Sequence, residues 1–410
     1  MTLTVPSSAI DLVSQPVVQD PYTTFEELRG LGSFVWLERH RAWLLLENEL
    51  VRAALNDDAL STDTITPLQR RLSEEQRKRF QPAADLLSDW MIFNDPPIHT
   101  ALRDPVRTAF TPRSVARLRE QIEHETAAII DRLGGADEFD LVAEVAYPLP
   151  ATVIAIMLGV PVERHTEFQE WSHQLGALVM GKIERRDAWD RAVMAAQEFQ
   201  RVFGGLIERY SKNPEDNLIT RLVEASASVE KSLTADQLVG ACSLLLFGGH
   251  ETTTSLIANG TLAMLRRPEV RARLVAEPEL QKSAVDEFLR FDGPSKIVVR
   301  RARNSEPWNG IPVKAGDAIF CCIAAANRDP AVFDRPNDLI LDRNPNRHVS
   351  FGWGMHHCLG AQLARLEASI VIPQVLRAWP DLKLAVADDQ LRYHHTIVGR
   401  TLRELPVSIA

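Results

Sequence analysis

The chain has 410 residues, of which 45% are hydrophobic and 25% charged, as in average globular proteins. Its net charge of -9 argues against nucleic acid as a partner, because phosphate recognition requires clustered positive charge. Four irregularly spaced cysteines exclude a disulfide framework and a paired-cysteine zinc site, and predict reduced thiols in the cytoplasm. No signal peptide and no run of the ~20 apolar residues of a membrane span is present, so we expect no membrane anchor.

In chain order, helical spacing dominates from about residue 21 to 290, for example at Val115, Leu118 and Ile122. Strand patterns are short and lie at 34–37, 42–46, 297–300, 318–323 and near Thr396 and Pro406. No repeat or flexible linker divides the sequence. We therefore predict one mainly α domain over residues 1–410 with small accessory β-sheets, and a loosely ordered arm over residues 1–20.

Residues 234–266 are apolar nearly all round, which predicts a long helix through the middle of the molecule. At its centre, Gly248 and Gly249 are followed closely by three consecutive threonines, all poor helix formers. Such a conflict with local propensity indicates a kink that serves a site. The alternative is a close helix contact that requires glycine.

The stretch FGWGMHHCLG at residues 351–360 precedes a helical pattern, so that Cys358 lies at the mouth of a helix. There the helix dipole and free backbone N–H groups favour a thiolate. The glycines allow a flat ligand to approach the backbone. An ordinary core cysteine is the general alternative, and zinc binding with His356 and His357 is disfavoured because adjacent ligands do not complete a tetrahedron.

This stretch resembles the cysteine loop of the bacterial cytochrome P450 family, Phe-Gly-x-Gly-x-His-x-Cys-x-Gly. Every defined position is matched, including Phe351, Gly352, His356, Cys358 and Gly360. The resemblance covers nearly the whole chain. It implies a single cytochrome P450 fold with the long helix over a haem b, Cys358 as the iron ligand, and a monooxygenase that uses O2.

Two further segments resemble family signatures with structural roles. Glu287 and Arg290 match the Glu-x-x-Arg signature, which in the family holds the core behind the cysteine loop. Without the resemblance, this pair would be a surface helix pair that contributes a few tenths of a kcal/mol. Residues 326–330, Ala-Asn-Arg-Asp-Pro, resemble a second structural segment.

The resemblance also assigns the anomalous centre of the long helix. Gly248 or Gly249, with Glu251 and Thr252, matches the family pattern of small residues followed by an acid and a threonine. In that pattern the kink opens a groove for dioxygen, and the acid and hydroxyl organise waters that deliver protons. A family member with Asp in place of Glu251 would differ in side-chain length rather than in chemistry.

Haem propionates require cationic or hydrogen-bonding partners. By resemblance these are His99 and Arg103, four residues apart on one helix face, together with Arg300 and His356. Arg301 and His348 are the plausible substitutes as propionate partners. Outside the family context, each of these residues would be a solvated surface charge.

No flavin or iron-sulfur motif is present, so electrons must come from a separate protein. The resemblance implies a ferredoxin and an NAD(P)H-dependent ferredoxin reductase. Arg107, Arg113 and Arg117 could form a basic patch for an acidic ferredoxin, or could simply be a solvated face. We expect the enzyme itself to be a monomer.

The resemblance places an apolar substrate pocket around a set of hydrophobic positions, for a substrate of modest size. These positions are Trp90, Met91, Leu178, Leu244, Phe247, Ile297, Val298 and Ile397. Lys296 and His395 could contact a carboxylate or hydroxyl, although a solvent-facing lysine and a structural histidine are favoured. A peroxygenase and a non-enzymatic gas-binding protein are the alternative functions. The presence of Glu251 and Thr252 counts against a peroxygenase. A gas-binding protein would not need the predicted kink.

Overall fold

The computed structural model describes residues 10–180, 187–228 and 232–409. Helices and strands are numbered in chain order. The helices are α1 Gln15–Gln19, α2 Pro21–Arg29, α3 Asn48–Leu55, α4 Ile65–Arg71, α5 Glu74–Ser88, α6 Ile98–Ala109, α7 Pro112–Ala116, α8 Arg119–Leu133, α9 Pro148–Leu158, α10 His165–Val179, α11 Ala188–Lys212, α12 Leu218–Ala227, α13 Ala235–Leu265, α14 Pro268–Ala276, α15 Gln281–Asp292, α16 Ile323–Ala326 and α17 Ala361–Ala378. The strands are β1 Phe34–Leu37, β2 Ala42–Leu45, β3 Leu60–Ser61, β4 Glu138–Asp140, β5 Ile297–Ala302, β6 Ala318–Cys322, β7 Lys383–Leu384 and β8 Pro406–Ser408.

The chain divides into two compact units that are interleaved in sequence. Within the described ranges, the first unit contains residues 10–60, 122–149 and 252–409, and the second contains 61–121 and 150–251. The boundary falls inside α13, between Glu251 and Thr252. Neither unit is one continuous segment of the chain, and the single domain remains a prediction. The mainly helical fold class is confirmed.

The main sheet has the strand order β1-β2-β6-β5-β3. β1 and β2 form an antiparallel hairpin, β2 pairs in parallel with β6, and β5 pairs antiparallel with β6. A second sheet has the order β4-β8-β7. The predicted strands are therefore present, except near Thr396. There the structure has isolated bridges that join Gly399 to Ser295 and Leu402 to Tyr393.

The main sheet carries a hydrophobic cluster on each face, because successive side chains of a strand point to opposite sides. Cys322 belongs to the cluster that contains Leu44 and Ile297, whereas its neighbour Cys321 belongs to the cluster that contains Leu45. Continuous apolar runs such as that of β6 are typical of strands covered on both faces. The sheet thus lies between two hydrophobic clusters of the first unit.

Residues 10–20 differ from the loosely ordered arm expected for residues 1–20. Ile10 and Leu12 are buried in the cluster with Leu44, and α1 follows them directly. Burial of these two apolar side chains outweighs the entropy cost of ordering the segment. The first nine residues of the expected arm lie outside the described residues.

The second unit is helical. α10, α11 and α5 pack side by side, with the rings of Phe168 and Phe203 edge to face at 5.0 Å. In the described part of the chain, no helix has both the length and the hydropathy needed to cross a bilayer.

Candidate functional site

The loop that carries Cys358 folds back on itself through backbone hydrogen bonds. The Gly352 N–H donates to the Val349 carbonyl at 2.9 Å, and the Cys358 N–H donates to the Phe351 carbonyl at 2.8 Å. Gly352 and Gly354 both have φ of +72°, a conformation that other residues rarely adopt. The glycines of the motif therefore fix the path of the loop.

Cys358 lies just before α17, which begins at Ala361. All four cysteines lie in the described ranges, and Cys358 alone among them is exposed. Burial raises the pKa of the Cys242 and Cys322 thiols to about 12, which keeps them protonated. The predicted ligand is thus the one cysteine whose sulfur another group can reach.

Asn327 holds the beginning of this loop. Its Oδ1 accepts a hydrogen bond from the Val349 N–H at 2.8 Å, and its Nδ2 donates to Ser350 Oγ at 2.7 Å. Ser350 Oγ in turn donates to the Leu289 carbonyl at 2.7 Å. Because Asn327 is buried, these bonds exclude water and fix the loop against α15. This is the structural role expected for residues 326–330.

Glu287 and Arg290 form a buried pair rather than a surface pair. Both side chains are 0% exposed, and two nitrogens of Arg290 donate to Glu287 at 2.8 and 2.7 Å. Arg343 Nε lies 3.1 Å from the same carboxylate, and Asn346 donates to it at 3.2 Å. Sequence reasoning missed Arg343, because 56 residues separate it from Glu287 and no local pattern connects them.

Two aromatic side chains of the cysteine loop are covered by arginines. The guanidinium of Arg52 lies 3.9 Å from the centre of the Trp353 ring, and that of Arg365 lies 4.5 Å from the Phe351 ring. Arg365 is itself held by Asp286, to which its Nε donates at 2.8 Å. These cation–π contacts, which the sequence did not reveal, stabilise the outer side of the loop.

The first unit contributes Arg300 and His356 to the predicted propionate partners. Arg300 is 5% exposed on β5, and His356 ends the turn that precedes Cys358. The suggested substitutes are engaged elsewhere: His348 Nε2 lies 3.1 Å from Asp286, and Arg301 donates to the Gly316 carbonyl. Arg300 Nη1 likewise donates to a carbonyl, that of Val299, at 3.1 Å, and Arg300 and His356 stay the predicted partners.

The second unit contributes His99 and Arg103, which lie one turn apart on α6. His99 is 2% exposed, and burial together with the charge of Arg103 lowers its pKa. Ahead of α6, Asp95 accepts hydrogen bonds from Ser61 Oγ at 2.5 Å and from the Thr62 N–H at 2.9 Å. These bonds fix the chain just before the helix that carries His99 and Arg103.

The predicted long helix is present as α13, and its two central glycines have different surroundings. A Cβ at Gly249 would press against Ile154 at 3.2 Å, so this glycine allows close packing. A Cβ at Gly248 would meet no atom within 4 Å, so this glycine faces open space. The close helix contact that was the alternative interpretation therefore applies to Gly249. The helix is continuous in secondary structure, and the kink remains a prediction.

Glu251 is only 5% exposed on α13, and its Oε1 lies 3.8 Å from Nδ1 of His173 on α10. The His173 side chain is 50% exposed, so it connects the buried carboxylate with solvent. A Cβ at Gly176 would press against the Phe247 ring at 3.1 Å and would touch this carboxylate at an ordinary 3.5 Å, so the glycine lets α10 pack closely beside Phe247 and Glu251. Thr252 follows in the helix. Sequence reasoning identified the acid and missed His173.

A family model for cytochrome P450 matches residues 34–396. The chain belongs to the cytochrome P450 family. The polyketide biosynthesis cytochrome P450 PksS of Bacillus subtilis (strain 168) is 36% identical over 395 residues, which cover 96% of this chain and 93% of that protein.

Solved cytochrome P450 structures agree closely with the fold. P450BioI in complex with hexadec-9Z-enoic acid ligated acyl carrier protein has a TM-score of 0.86 at 30% identity, and covers 96% of this chain and 99% of that chain. The myxobacterial CYP267B1 in complex with myristic acid also has a TM-score of 0.86, at 34% identity, and covers 97% and 98%. This cytochrome P450 is a haem-thiolate monooxygenase, an oxidoreductase that uses haem b and O2.

In the second unit of this cytochrome P450, two of the predicted pocket residues are in contact. The rings of Trp90 and Phe247 are 5.1 Å apart, and Trp90 Nε1 donates to Ser243 Oγ at 2.9 Å. Met91 and Leu244 are buried, and Leu178 is half-buried on α10. In the first unit, Ile297 and Ile397 share one cluster, while Val298 packs in the other. These three do not lie on one surface.

The expectation of a solvent-facing Lys296 is wrong, because the side chain is 3% exposed. Its backbone N–H donates to the Val398 carbonyl at 2.7 Å, which brings the C-terminal segment against it. Burial and the nearby charge of Arg400 lower the pKa of Lys296 to about 8. His395 has the structural role that was favoured, since its Nδ1 lies 2.8 Å from the Val13 carbonyl.

The three arginines of the predicted basic patch are exposed in the second unit. Arg107 makes only a long contact with Asp104, at 3.4 Å, and Arg117 makes one with Asp216, at 3.7 Å. Exposed ion pairs of this kind contribute little to stability, so the arginines are able to exchange partners.

Proposed function

We propose that Cys358 ligates the haem iron and that the enzyme inserts one oxygen atom from O2 into a small, largely apolar organic molecule. The observation that carries this is the exposed Cys358 just before α17, in a loop set by two glycines of positive φ. A Cβ at Gly360 would lie 3.9 Å from Cys358 Sγ, so glycine keeps the space beside the sulfur open. When bound, a thiolate-ligated haem activates dioxygen, because the thiolate donates electron density that favours O–O cleavage.

The chain supplies four cationic or hydrogen-bonding groups for the two propionates of haem b. By the resemblance these are His99, Arg103, Arg300 and His356. Charge-assisted hydrogen bonds from such groups offset the cost of burying a carboxylate.

Proton delivery is assigned to Glu251 and Thr252. The buried Glu251 carboxylate exchanges protons with solvent on the side of His173, whose ring is half exposed at 3.8 Å. The adjacent Thr252 hydroxyl both donates and accepts hydrogen bonds, so it orders the waters that receive those protons. The open space at Gly248 gives such waters room on the same helix.

The substrate class follows from the apolar side chains of the predicted pocket and from the relatives. Similar structures hold myristic acid and a hexadecenoic acid on an acyl carrier protein, and a similar sequence acts in polyketide biosynthesis. We propose a substrate whose oxidised part is a hydrocarbon chain or ring. Electrons come from a ferredoxin, which an NAD(P)H-dependent reductase reduces. The ferredoxin docks at the patch of Arg107, Arg113 and Arg117. The enzyme is a cytoplasmic monomer.

Reduction of the purified protein under carbon monoxide tests the iron ligand. We expect the long-wavelength Soret band of a thiolate complex, its loss in Cys358→Ser, and no change in the control Cys242→Ala. A band typical of histidine ligation in the wild-type protein would refute the proposal. Titration with myristic acid then tests the substrate class, since displacement of water from ferric iron shifts its spin state.

A further inference from the structure

The first unit contains a cavity of about 580 Å³, whose lining includes none of the residues assigned to the monooxygenase reaction. Tyr22 of α2, Asn259 of α13, Phe291 of α15 and the side chains of Arg267 and Arg328 line it. Its volume lies within the range of small-molecule sites in proteins. All of these residues belong to the first unit.

Two arginines of this cavity contact neutral groups. Arg328 donates from Nε and Nη2 to the Phe291 carbonyl, at 3.1 and 2.6 Å, and its guanidinium lies 3.5 Å from the Tyr22 ring centre. Arg267 donates to the Ala263 carbonyl at 3.3 Å, and lies 4.7 Å from the Phe291 ring centre. Within the described ranges, neither guanidinium forms an ion pair with a carboxylate.

The carboxylates around the cavity are already engaged or lie at its rim. Asp292 accepts from Arg400 Nε at 3.0 Å and from the Tyr22 hydroxyl at 2.5 Å. Asp388 accepts from Arg266 in a bidentate pair, at 2.7 and 3.0 Å. The inner part of the cavity therefore carries more positive than negative charge.

At the rim, Asp20 caps the first turn of α2 through bonds to Tyr22 and Thr23, and Asp389 is exposed to solvent. Burial and the charge of Arg266 outweigh the charges of Asp292 and Asp338 and lower the pKa of Arg267.

The cavity also contains hydrogen-bond acceptors that lack a donor. Asn259 is 2% exposed, and its Nδ2 donates to the carbonyls of Asp292 and Arg400, at 3.1 and 2.9 Å. These bonds fix the amide orientation, and Asn259 Oδ1 has no hydrogen-bond partner among the described residues. The buried Gln19 Oε1, also in the cavity lining, has none either. Buried polar atoms are normally paired, so a ligand with an O–H donor fits this place.

We propose that this cavity binds a small oxyanion that also carries an O–H group, such as a protonated phosphate, a phosphate monoester or a hydroxycarboxylate. The anionic oxygens accept hydrogen bonds from Arg267 and Arg328, whose planar donor groups match carboxylate and phosphate geometry. The O–H group donates to Asn259 Oδ1. The site is separate from the chemistry assigned to Cys358 and does not depend on it.

Calorimetric titration of the haem-loaded full chain tests this with matched probes. Inorganic phosphate at about pH 6 keeps a proton that sulfate lacks, and malate has a hydroxyl that succinate lacks. We expect phosphate or malate to bind at least about tenfold more tightly than its partner, because a buried acceptor left unpaired lowers affinity. Comparison of phosphate with malate shows whether the site prefers a phosphate group or a hydroxycarboxylate.

Variants locate the binding. Arg267→Ala should weaken binding about tenfold and Arg267→Lys should restore part of it, since charge returns without the planar donor pair. Arg273→Ala is the matched control, because Arg273 is an exposed arginine of α14 that pairs with Glu277 and Asp342 outside the cavity. Absence of binding by both phosphate and malate would overturn the proposal. Equal affinity for phosphate and sulfate together with equal affinity for malate and succinate would also overturn it. So would an equal loss of affinity in Arg267→Ala and Arg273→Ala.

Discussion

Gly352 and Gly354 offer a matched test of how the cysteine loop is held. Both have φ of +72°, so alanine at either position must adopt a left-handed conformation. That conformation costs about 1–2 kcal/mol for a residue with a Cβ. If backbone conformation alone mattered, the two alanine variants would be equally destabilised.

The space around the two positions differs. At Gly352 the nearest atom to a new Cβ is the His356 carbonyl oxygen at 3.5 Å, an ordinary contact. At Gly354 the Cβ would overlap Asn56 Oδ1 and would lie 2.8 Å from Asn56 Cγ and 3.0 Å from its Cβ. Overpacking in a core costs about 1–3 kcal/mol, and because Asn56 is exposed and able to rotate, the added cost here lies at the lower end of that range. Gly354→Ala should therefore be the more destabilising of the two.

Thermal unfolding of the haem-loaded protein, followed by circular dichroism and by the Soret band, measures this order. We expect the wild type to unfold at the highest temperature, then Gly352→Ala, then Gly354→Ala. Asn56→Gly removes the overlapping side chain, so it should recover most of the difference in the Gly354→Ala background and none in the Gly352→Ala background. Asn56→Gly alone serves as the reference. Equal effects of Asn56→Gly in both backgrounds would refute the reasoning.

Other side chains give further predictions. Thr252→Ala should keep NAD(P)H consumption but release peroxide in place of product, because proton delivery is misplaced; unchanged coupling would contradict its role. His173→Gln should lower the same coupling, since the buried carboxylate 3.8 Å away loses its titratable neighbour, whereas the exposed control His124→Gln should not. The pKa of Lys296 falls from 10.5 to about 8, so the folded chain binds fewer protons than the unfolded chain between these values, and stability rises with pH across that window. Lys296→Met should therefore stabilise the protein by about 3 kcal/mol at pH 7, and the gain should vanish above pH 10.5, as urea unfolding at both pH values will test. Arg343→Lys should lower the unfolding temperature nearly as much as Arg343→Ala, because a lysine does not reproduce the fork that contacts Glu287 and several carbonyls; full recovery by lysine would show that charge alone is needed.

The sequence by itself determined the features that depend on neighbouring residues. The cysteine loop is a contiguous pattern, and the glycines that need positive φ stand inside it, next to the cysteine that they position. The long helix α13 and the strands β1, β2, β5 and β6 follow from apolar periodicity over a few turns or pairs of residues. The same local information indicated that His99 and Arg103 share a face of α6.

Only the tertiary structure decided the environment of side chains whose partners come from distant segments. Arg343 reaches Glu287 across 56 residues, and His173 approaches Glu251 from another helix. Lys296 is buried because a C-terminal segment packs over it, although its own sequence context suggests an exposed lysine. Burial and ion pairing depend on which segments lie next to each other in the fold, and local sequence patterns do not specify those contacts.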